Sequence, residues 1–591
     1  MTFSFIKKYC KKYVLLLTIG IFADMFVDYV QLYVPEFLGE LVELVSNSTG
    51  LKFDDIKHIV ISLLIVAVAL FVGRIIMRFS ILTSSGKIEA DLRSEMFKKS
   101  ERLSQRYYHE HKVGDIMSWF ASDIEAIEEF IGWATIMIVD AIFLSGLTIF
   151  KMVKLDLILC LIGIVPLVAL IFWGNRVEKT MSDKWEERQK NFDKLYDYTH
   201  ENFAGIRVIK AFVKERQELK GFSKVAKDNS DKNIEFAKLS IKFDVYIELI
   251  IGVLMALLLG FGSYFVYRNA IGNPVILFNY VVDMSAGKLI TFIGYVDTLI
   301  WPMIAMGQIL QMHSRFITSY KRVKTFIDEE EEIKNIENPI LLKDFKGSIE
   351  FKNFSFNYPG FDKNVLENIN LEIKPGEMVG VVGKIGSGKT TLVNSLLRLY
   401  NVKKGTIFFD GVDIMDLDMQ NLRDNIAYVP QDNFLFSDNI KNNIAFSNKK
   451  LNIADIRLAA KFADVDDNIV GFAEGYETVT GERGVTLSGG QKQRISIARA
   501  YIKDAPIMIL DDSVSAVDVK TEETILNNIY EKRKGKTTII IASRVSTVSH
   551  LDKIIVLKDG KVEAFDTPNN LLNTSPTYQK MVYLQKLESE L

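Results

Sequence analysis

Several features that would mark other kinds of protein are missing from this chain. Its 591 residues include only two cysteines, Cys10 and Cys160, far apart and in no metal-like spacing. That excludes a disulfide framework and a cysteine-based zinc site. No charge excess exists either: 72 basic and 74 acidic residues leave a formal charge of −2, and the basic residues gather on no one segment. A nucleic-acid partner is therefore not expected. Internal repeats and low-complexity tracts are absent, and residues 82–128 and 176–244 contain no proline.

Long apolar runs are present, and they divide the chain. A bilayer core of about 30 Å needs roughly 20 apolar residues per helix. Six segments qualify: 13–35, 57–79, 129–151, 155–175, 245–267 and 288–312. Asp24 and Asp28 interrupt the first, and no small-residue cleavage site follows it, so it reads as a retained span rather than a secretion signal. Lys and Arg concentrate at the N-terminus, around 87–112 and 176–242, and from Arg315 to Lys324, which predicts both termini in the cytoplasm. The proline-free stretches predict membrane helices running on into the cytoplasm. The expected division is a six-helix membrane domain at 1–325, a linker at 326–346 and a soluble α/β domain at 347–591.

The soluble part carries a phosphate-binding pattern. Val379 to Val382 form a buried-strand run, followed by Gly383-Lys384-Ile385-Gly386-Ser387-Gly388-Lys389-Thr390-Thr391 and an apolar-periodic helix. A loop at that junction aims backbone N–H groups and a helix N-terminus at phosphate. Gly386 and Gly388 are expected to allow close approach, because a Cβ there would meet the ligand. Lys389 supplies a compact charge for the β- and γ-phosphates of ATP, and Thr390 a hydroxyl for Mg²⁺. Asp511 ends the apolar strand Ile507-Met508-Ile509-Leu510, where a carboxylate is costly unless it serves a metal.

Together with Leu487-Ser488-Gly489-Gly490-Gln491, these motifs resemble the ATP-binding cassette family. The resemblance implies a multidomain fold: an all-α transmembrane domain extended into the cytoplasm plus an α/β P-loop NTPase cassette, of the exporter type. It further implies that Tyr358 stacks on adenine and that Gln431 reaches the metal and the attacking water, making Thr390, Gln431 and Asp511 the Mg²⁺ set. The signature Leu487 to Gln491 would contact nucleotide held by the opposite subunit, in a head-to-tail pair. Gly114-Asp115-Ile116-Met117 with Asp123, and Glu201 with Gly205 to Phe212, resemble coupling regions; Gly481-Glu482-Arg483-Gly484 and Ser515-Ala516-Val517-Asp518 resemble segments facing the intracellular loops and the second site.

Two positions depart from the family pattern. Asp512 stands where Glu is usual, and Ser543 where a switch His is usual. A well-placed base contributes ~10²–10⁴-fold, and Asp is one methylene short. His550, seven residues beyond Ser543, lies outside the motif frame. The pairing resembles the degenerate half of heterodimeric exporters, so a second, non-identical half-transporter is the expected partner. An ATP-binding regulatory or sensor subunit, or a homodimeric lipid or peptide exporter, are the alternatives. Within the spans Asp24, Asp28, Asp140, Glu248 and Asp297 read either as an acidic translocation cavity favouring cationic amphipathic cargo or as partners for basic residues of a second subunit. The cargo class, drug, peptide or lipid, stays open. Abundant Lys, Ile and Asn suggest a bacterial plasma membrane.

Overall fold

The structure is a computed structural model that describes residues 4–47, 53–277, 280–361, 363–481, 487–514 and 517–590. It contains two compact units: Met1–Lys98 with Gly114–Glu329, and Lys99–Val113 with Glu330–Leu591.

The first unit is helical. Its main elements are α1 (Val14–Gln31), α2 (Tyr33–Asn47), α3 (Phe53–Ser100), α4 (Val113–Leu155), α5 (Leu157–Ala204), α6 (Ile206–Ala211), α7 (Glu215–Ala270) and α8 (Ala286–Asp328). Among the described residues, five stretches are long and apolar enough to cross a bilayer: Val14–Ser46, Ile56–Ser100, α4, α7 and α8. The sixth expected span, 155–175, falls on α5, whose described apolar stretch is Leu157–Pro166; side chains at 167–179 lie outside the described set. At 1.5 Å per residue, the 56 residues of α7 reach about 84 Å, far beyond a ~30 Å hydrocarbon core.

Three local features go beyond the sequence expectation. The helix carrying the first span does not stop near residue 35 but runs on through α2 to Ser46. Pro35 sits in the first turn of α2, where its missing N–H costs no helical bond. Glu36 is satisfied by Lys151 (2.6 Å) and by the Tyr295 hydroxyl (2.5 Å). Close approach of α2 and α8 also anchors this segment: a Cβ at Gly39 would lie 2.5 Å from the Gly287 carbonyl. Secondly, α4 contains π-helical turns at Trp119–Asp123, Phe130–Ala134 and Asp140–Leu144, which no hydrophobic period announces.

The third concerns the coupling motif. Lys99–Val113 packs with the second unit, so the attached segment ends one residue before Gly114-Asp115-Ile116-Met117. Within it the short helix Gln105–Glu110 presents His109, whose Nδ1 lies 3.1 Å from the Tyr400 hydroxyl, and Ser104 donates to Glu332 (2.9 Å). Asp123 has a different task. It is buried in the first unit and accepts from Ser319 (2.9 Å) and from Arg322 Nε (2.6 Å) and Nη2 (2.5 Å), tying α4 to α8. Gly205 and the residues to Phe212 form α6, the short helix between α5 and α7, with Ile206, Val208, Phe212 and Val213 exposed.

The second unit is built on β1 (Ile349–Phe356), β2 (Leu366–Ile373), β3 (Met378–Gly383), β4 (Ile407–Phe409), β5 (Val412–Asp413), β6 (Ile426–Val429), β7 (Ile507–Asp511), β8 (Thr537–Ile541), β9 (Lys553–Lys558) and β10 (Lys561–Asp566). One sheet has the order β10-β9-β3-β8-β7-β6, parallel except for β10; the other is antiparallel, β2-β1-β4-β5. β3, β7 and β8 are wholly buried. Because side chains alternate across a strand, Val382, Met508, Leu510 and Ile540 enter one core while Val381, Ile507, Ile509 and Ile539 enter the other. Both faces of the parallel sheet are therefore covered, as continuous apolar strands require. Helix α9 (Lys389–Leu396) opens on the phosphate-loop lysine, and helix α10 (Gly489–Tyr501) opens on the signature glycines.

Candidate nucleotide site

In a parallel sheet the strands end on one edge, and ligands bind there. The register pairs Ile541 with both Asp511 and Val381, so β3, β7 and β8 finish level with one another. β6 finishes beside β7, with Val429 opposite Leu510. Four segments distant in sequence thus converge: the phosphate loop after β3, Asp511-Asp512 at the end of β7, Ser543 after β8 and Gln431 after β6. Gln431 is exposed on that edge.

The loop is shaped by its glycines, for reasons beyond the expected close approach of a ligand. Gly386 (φ +81°) and Gly388 (φ +97°) occupy the left-handed region, which favours glycine. A Cβ at Gly386 meets nothing within 4 Å, whereas one at Gly388 would lie 2.7 Å from the Leu366 side chain. Backbone conformation at both positions, and a protein neighbour at Gly388, therefore already demand glycine here. Ile385 is fully exposed, and the Ser387 hydroxyl is buried without a hydrogen-bond partner. Lys389 begins α9 and folds its ammonium over the loop, donating to the carbonyls of Gly383 (2.8 Å) and Lys384 (3.2 Å). Burial lowers its pKa from the ordinary lysine value, opposed by the charges of Asp512 and Asp511. A dianionic phosphate at this helix start would replace those two carbonyls with a stronger partner.

Asp511 is 1 % exposed, and burial raises its carboxyl above the usual range. Oδ1 accepts a long bond from Thr390 Oγ1 (3.4 Å), while Oδ2 is buried with no hydrogen-bond partner of ordinary geometry among the described residues. An orphaned carboxylate oxygen beside a hydroxyl is a donor set suited to a hard divalent cation.

Asp512 lies one residue beyond the strand with φ +44°, a conformation that Asp tolerates better than most residues. Its amide donates to the Ile541 carbonyl (3.0 Å), its carbonyl accepts from Gln493 Nε2 (3.3 Å), and its Oδ2 accepts from Ser543 Oγ (3.1 Å). Ser543 thus keeps contact with the carboxylate while bringing no positive charge. His550 is exposed on the surface.

Tyr358 is half-buried; its hydroxyl lies 3.0 Å from Thr391 Oγ1, and its ring meets those of Phe356 and Tyr400 edge-on at 5.2 Å. Ser488 caps α10 in a reciprocal box with Gln491, the two bonds being 3.3 and 3.0 Å. Ser488 and Gly489 are exposed, whereas Leu487 is buried as an anchor. The capped helix start is therefore preorganised and open to another molecule. Glu482, Arg483, Gly484, Ser515 and Ala516 lie outside the described residues.

In the helical unit, the carboxylates of Asp24, Asp28 and Asp140 come within 4.8 Å of one another. Trp301 Nε1 donates to Asp140 (3.0 Å). Glu248 and Asp297 are exposed and stand apart from this group. Sequence reasoning missed Arg74, which donates to Gln31 (3.2 Å) and whose charge reaches Asp28 and Asp140. A basic residue inside the apolar run 57–79 was the available signal. Gln493, Tyr400 and His109 were also missed; a buried Gln two residues past the signature could have been noticed, but the Tyr400–His109 contact joins residues 291 apart.

Comparison with known proteins places this architecture. The model of the ABC transporter transmembrane region matches residues 17–303, and that of the ABC transporter cassette matches 366–515. The chain is 32% identical to the "Probable multidrug resistance ABC transporter ATP-binding/permease protein YheI" of Bacillus subtilis, over 99% of this chain and 98% of that protein. It is 31% identical to the "Multidrug resistance-like ATP-binding protein MdlA" of Escherichia coli, over 95% and 92% respectively. A solved structure titled "Structure of a bacterial Atm1-family ABC exporter with ATP bound" superposes with a TM-score of 0.76 at 23% identity, covering 98% of this chain and 99% of that one, which shows a shared fold. The chain belongs to the ABC transporter family. It is a multi-pass membrane protein with an ATP-binding, ATP-hydrolysing cassette and an exporter fold.

Proposed function

We propose that this chain is the degenerate-site half of a heterodimeric exporter, its domains divided at 1–325, 326–346 and 347–591. The observation that carries this reading is the Ser543–Asp512 contact: a neutral hydroxyl at 3.1 Å holds a shortened carboxylate where a cationic imidazole and a Glu are usual. Both helix α10's exposed start and the apolar tip of α6 are finished surfaces offered to another subunit. The chain's own loop and Asp512 would form the slow site, facing the partner's signature. Its Leu487 to Gln491 would complete the competent one.

In this reading Tyr358 stacks on adenine, Gly383 to Thr391 cradle the phosphates, and Lys389 moves from its own carbonyls to the β- and γ-phosphates. Thr390, Asp511 and Gln431 would hold Mg²⁺, which supplies charge neutralisation at the phosphates when bound. Asp512 orients water or accepts its proton weakly, because neither it nor Ser543 places positive charge beside the developing γ-phosphate charge. Closure of the paired cassettes drives the membrane helices outward-open. Both termini lie in the cytoplasm of a bacterial plasma membrane, and the cargo is an amphipathic organic compound, the class suggested by the multidrug names of the relatives.

The test is ATPase activity of the co-purified pair. Asp512→Asn is expected to leave most of it, whereas replacing the partner's catalytic Glu abolishes it. Equal losses, or brisk drug transport by a self-pair of this chain, would overturn the assignment.

A further inference from the structure

We propose that Asp24, Asp28 and Asp140 form a binding site for one divalent metal ion inside the membrane unit. The three carboxylates come from α1 and from a π-helical turn of α4, and one oxygen from each lies within 4.8 Å of the others. Any three points so spaced lie within about 2.8 Å of a common centre. Oxygen ligands bind Ca²⁺ at roughly 2.3–2.6 Å, so a small inward adjustment seats an ion of that size.

Acidic clusters on surfaces are commonplace, but two members of this one are buried. Asp24 is 2 % exposed and Asp28 3 %, and the Oδ2 atom of each is buried with no hydrogen-bond partner among the described residues. Two buried carboxyl oxygens without partners in an apolar membrane unit are relieved either by protons or by a cation between them. Arg74 supplies only one positive charge near Asp28 and Asp140 and spends a donor on Gln31. With all three carboxyls ionised around an ion, that one charge leaves two negative charges, which a single divalent ion neutralises. Trp301 holds Asp140 from outside the cluster, fixing one ligand as an outer-shell donor does. An organic ammonium carries carbon substituents that need open surface at the carboxylates, and these two offer almost none. A bare ion needs none.

The site does not depend on the degenerate-half reading, and its test is separate. Full-length protein in nanodiscs, free of nucleotide, is titrated with Mn²⁺ while free Mn²⁺ is read by electron paramagnetic resonance. One bound ion per chain is expected, displaced by Ca²⁺. Asp24→Asn and Asp28→Asn are each expected to weaken binding about tenfold or more, while Asp283→Asn, at an exposed carboxylate, leaves it unchanged. Retained binding of a fluorescent ATP analogue shows that each variant is folded. Absence of bound Mn²⁺ in the unaltered protein, which requires no variant, overturns the proposal; so does binding that survives both aspartate changes or vanishes with Asp283→Asn. Competitive one-for-one displacement by ethidium would assign the cluster to organic cargo and equally overturn it.

Discussion

The cassette and the membrane unit each bury carboxylates, and they solve the problem in opposite ways. In the cassette, Asp511 and Asp512 sit where a strand ends, so loops from neighbouring strands bring Thr390, Ser543 and Gln493 to them. In the membrane unit, Asp24, Asp28 and Asp140 sit within helices whose own backbone groups are already paired, and relief must come from other helices, from protons or from a bound ion. A strand end is an open chemical position, tuned by small changes in its neighbours. A mid-helix carboxylate is a fixed demand.

On that contrast, the cassette should respond to substitution at its strand ends by changing rate. Combining Asp512→Glu with Ser543→His in this chain should raise phosphate release at its own site by about 10²-fold or more, since a placed base and a charge donor each act on the transition state. An unchanged rate would mean that the weakness lies elsewhere in the site and break the comparison.

A smaller effect separates the two loop glycines. Gly388→Ala combines a φ of +97° with a neighbour at 2.7 Å, whereas Gly386→Ala meets open space at φ +81°. Strain of about 1–3 kcal/mol applies at each left-handed position, and only Gly388→Ala adds a clash. ATP affinity, measured with a fluorescent analogue, should fall further for Gly388→Ala; the reverse order would return the ligand-contact explanation to favour.

The smallest expected effect is in the membrane unit. Asp123→Asn keeps a polar acceptor for Ser319 but removes the charge that Arg322 pairs with. Because Arg322 is 45% exposed, the loss should be about 1–2 kcal/mol, read as a lower melting temperature with cassette ATP binding intact. A loss of ATP binding instead would show that Asp123 does more than tie α4 to α8.

Legibility followed the same divide. The phosphate loop, Asp511 and the signature were readable because each is a short run whose chemistry needs adjacent residues. The convergence of Asp512 with Ser543 was readable only by resemblance, since 31 residues separate them. The backbone demands on Gly386 and Gly388 went unread, because φ and the Leu366 neighbour are not written in the loop itself. The continuation of the first helix beyond residue 35 went unread, because the partners of Glu36, Lys151 and Tyr295, lie 115 and 259 residues away.

Resemblance alone marked Asp512 and Ser543 as departures from the family's usual residues; by itself the sequence determined which segments are apolar enough to enter a bilayer and where the phosphate-loop pattern lies. Those follow from composition and from contacts between near neighbours in the chain. Only the tertiary structure decided that Lys99–Val113 packs with the cassette, that Asp123 locks to Arg322, and that Asp140 joins Asp24 and Asp28 while Glu248 and Asp297 do not. Helix packing and strand order set those outcomes, because they choose which distant side chains must share the same buried volume.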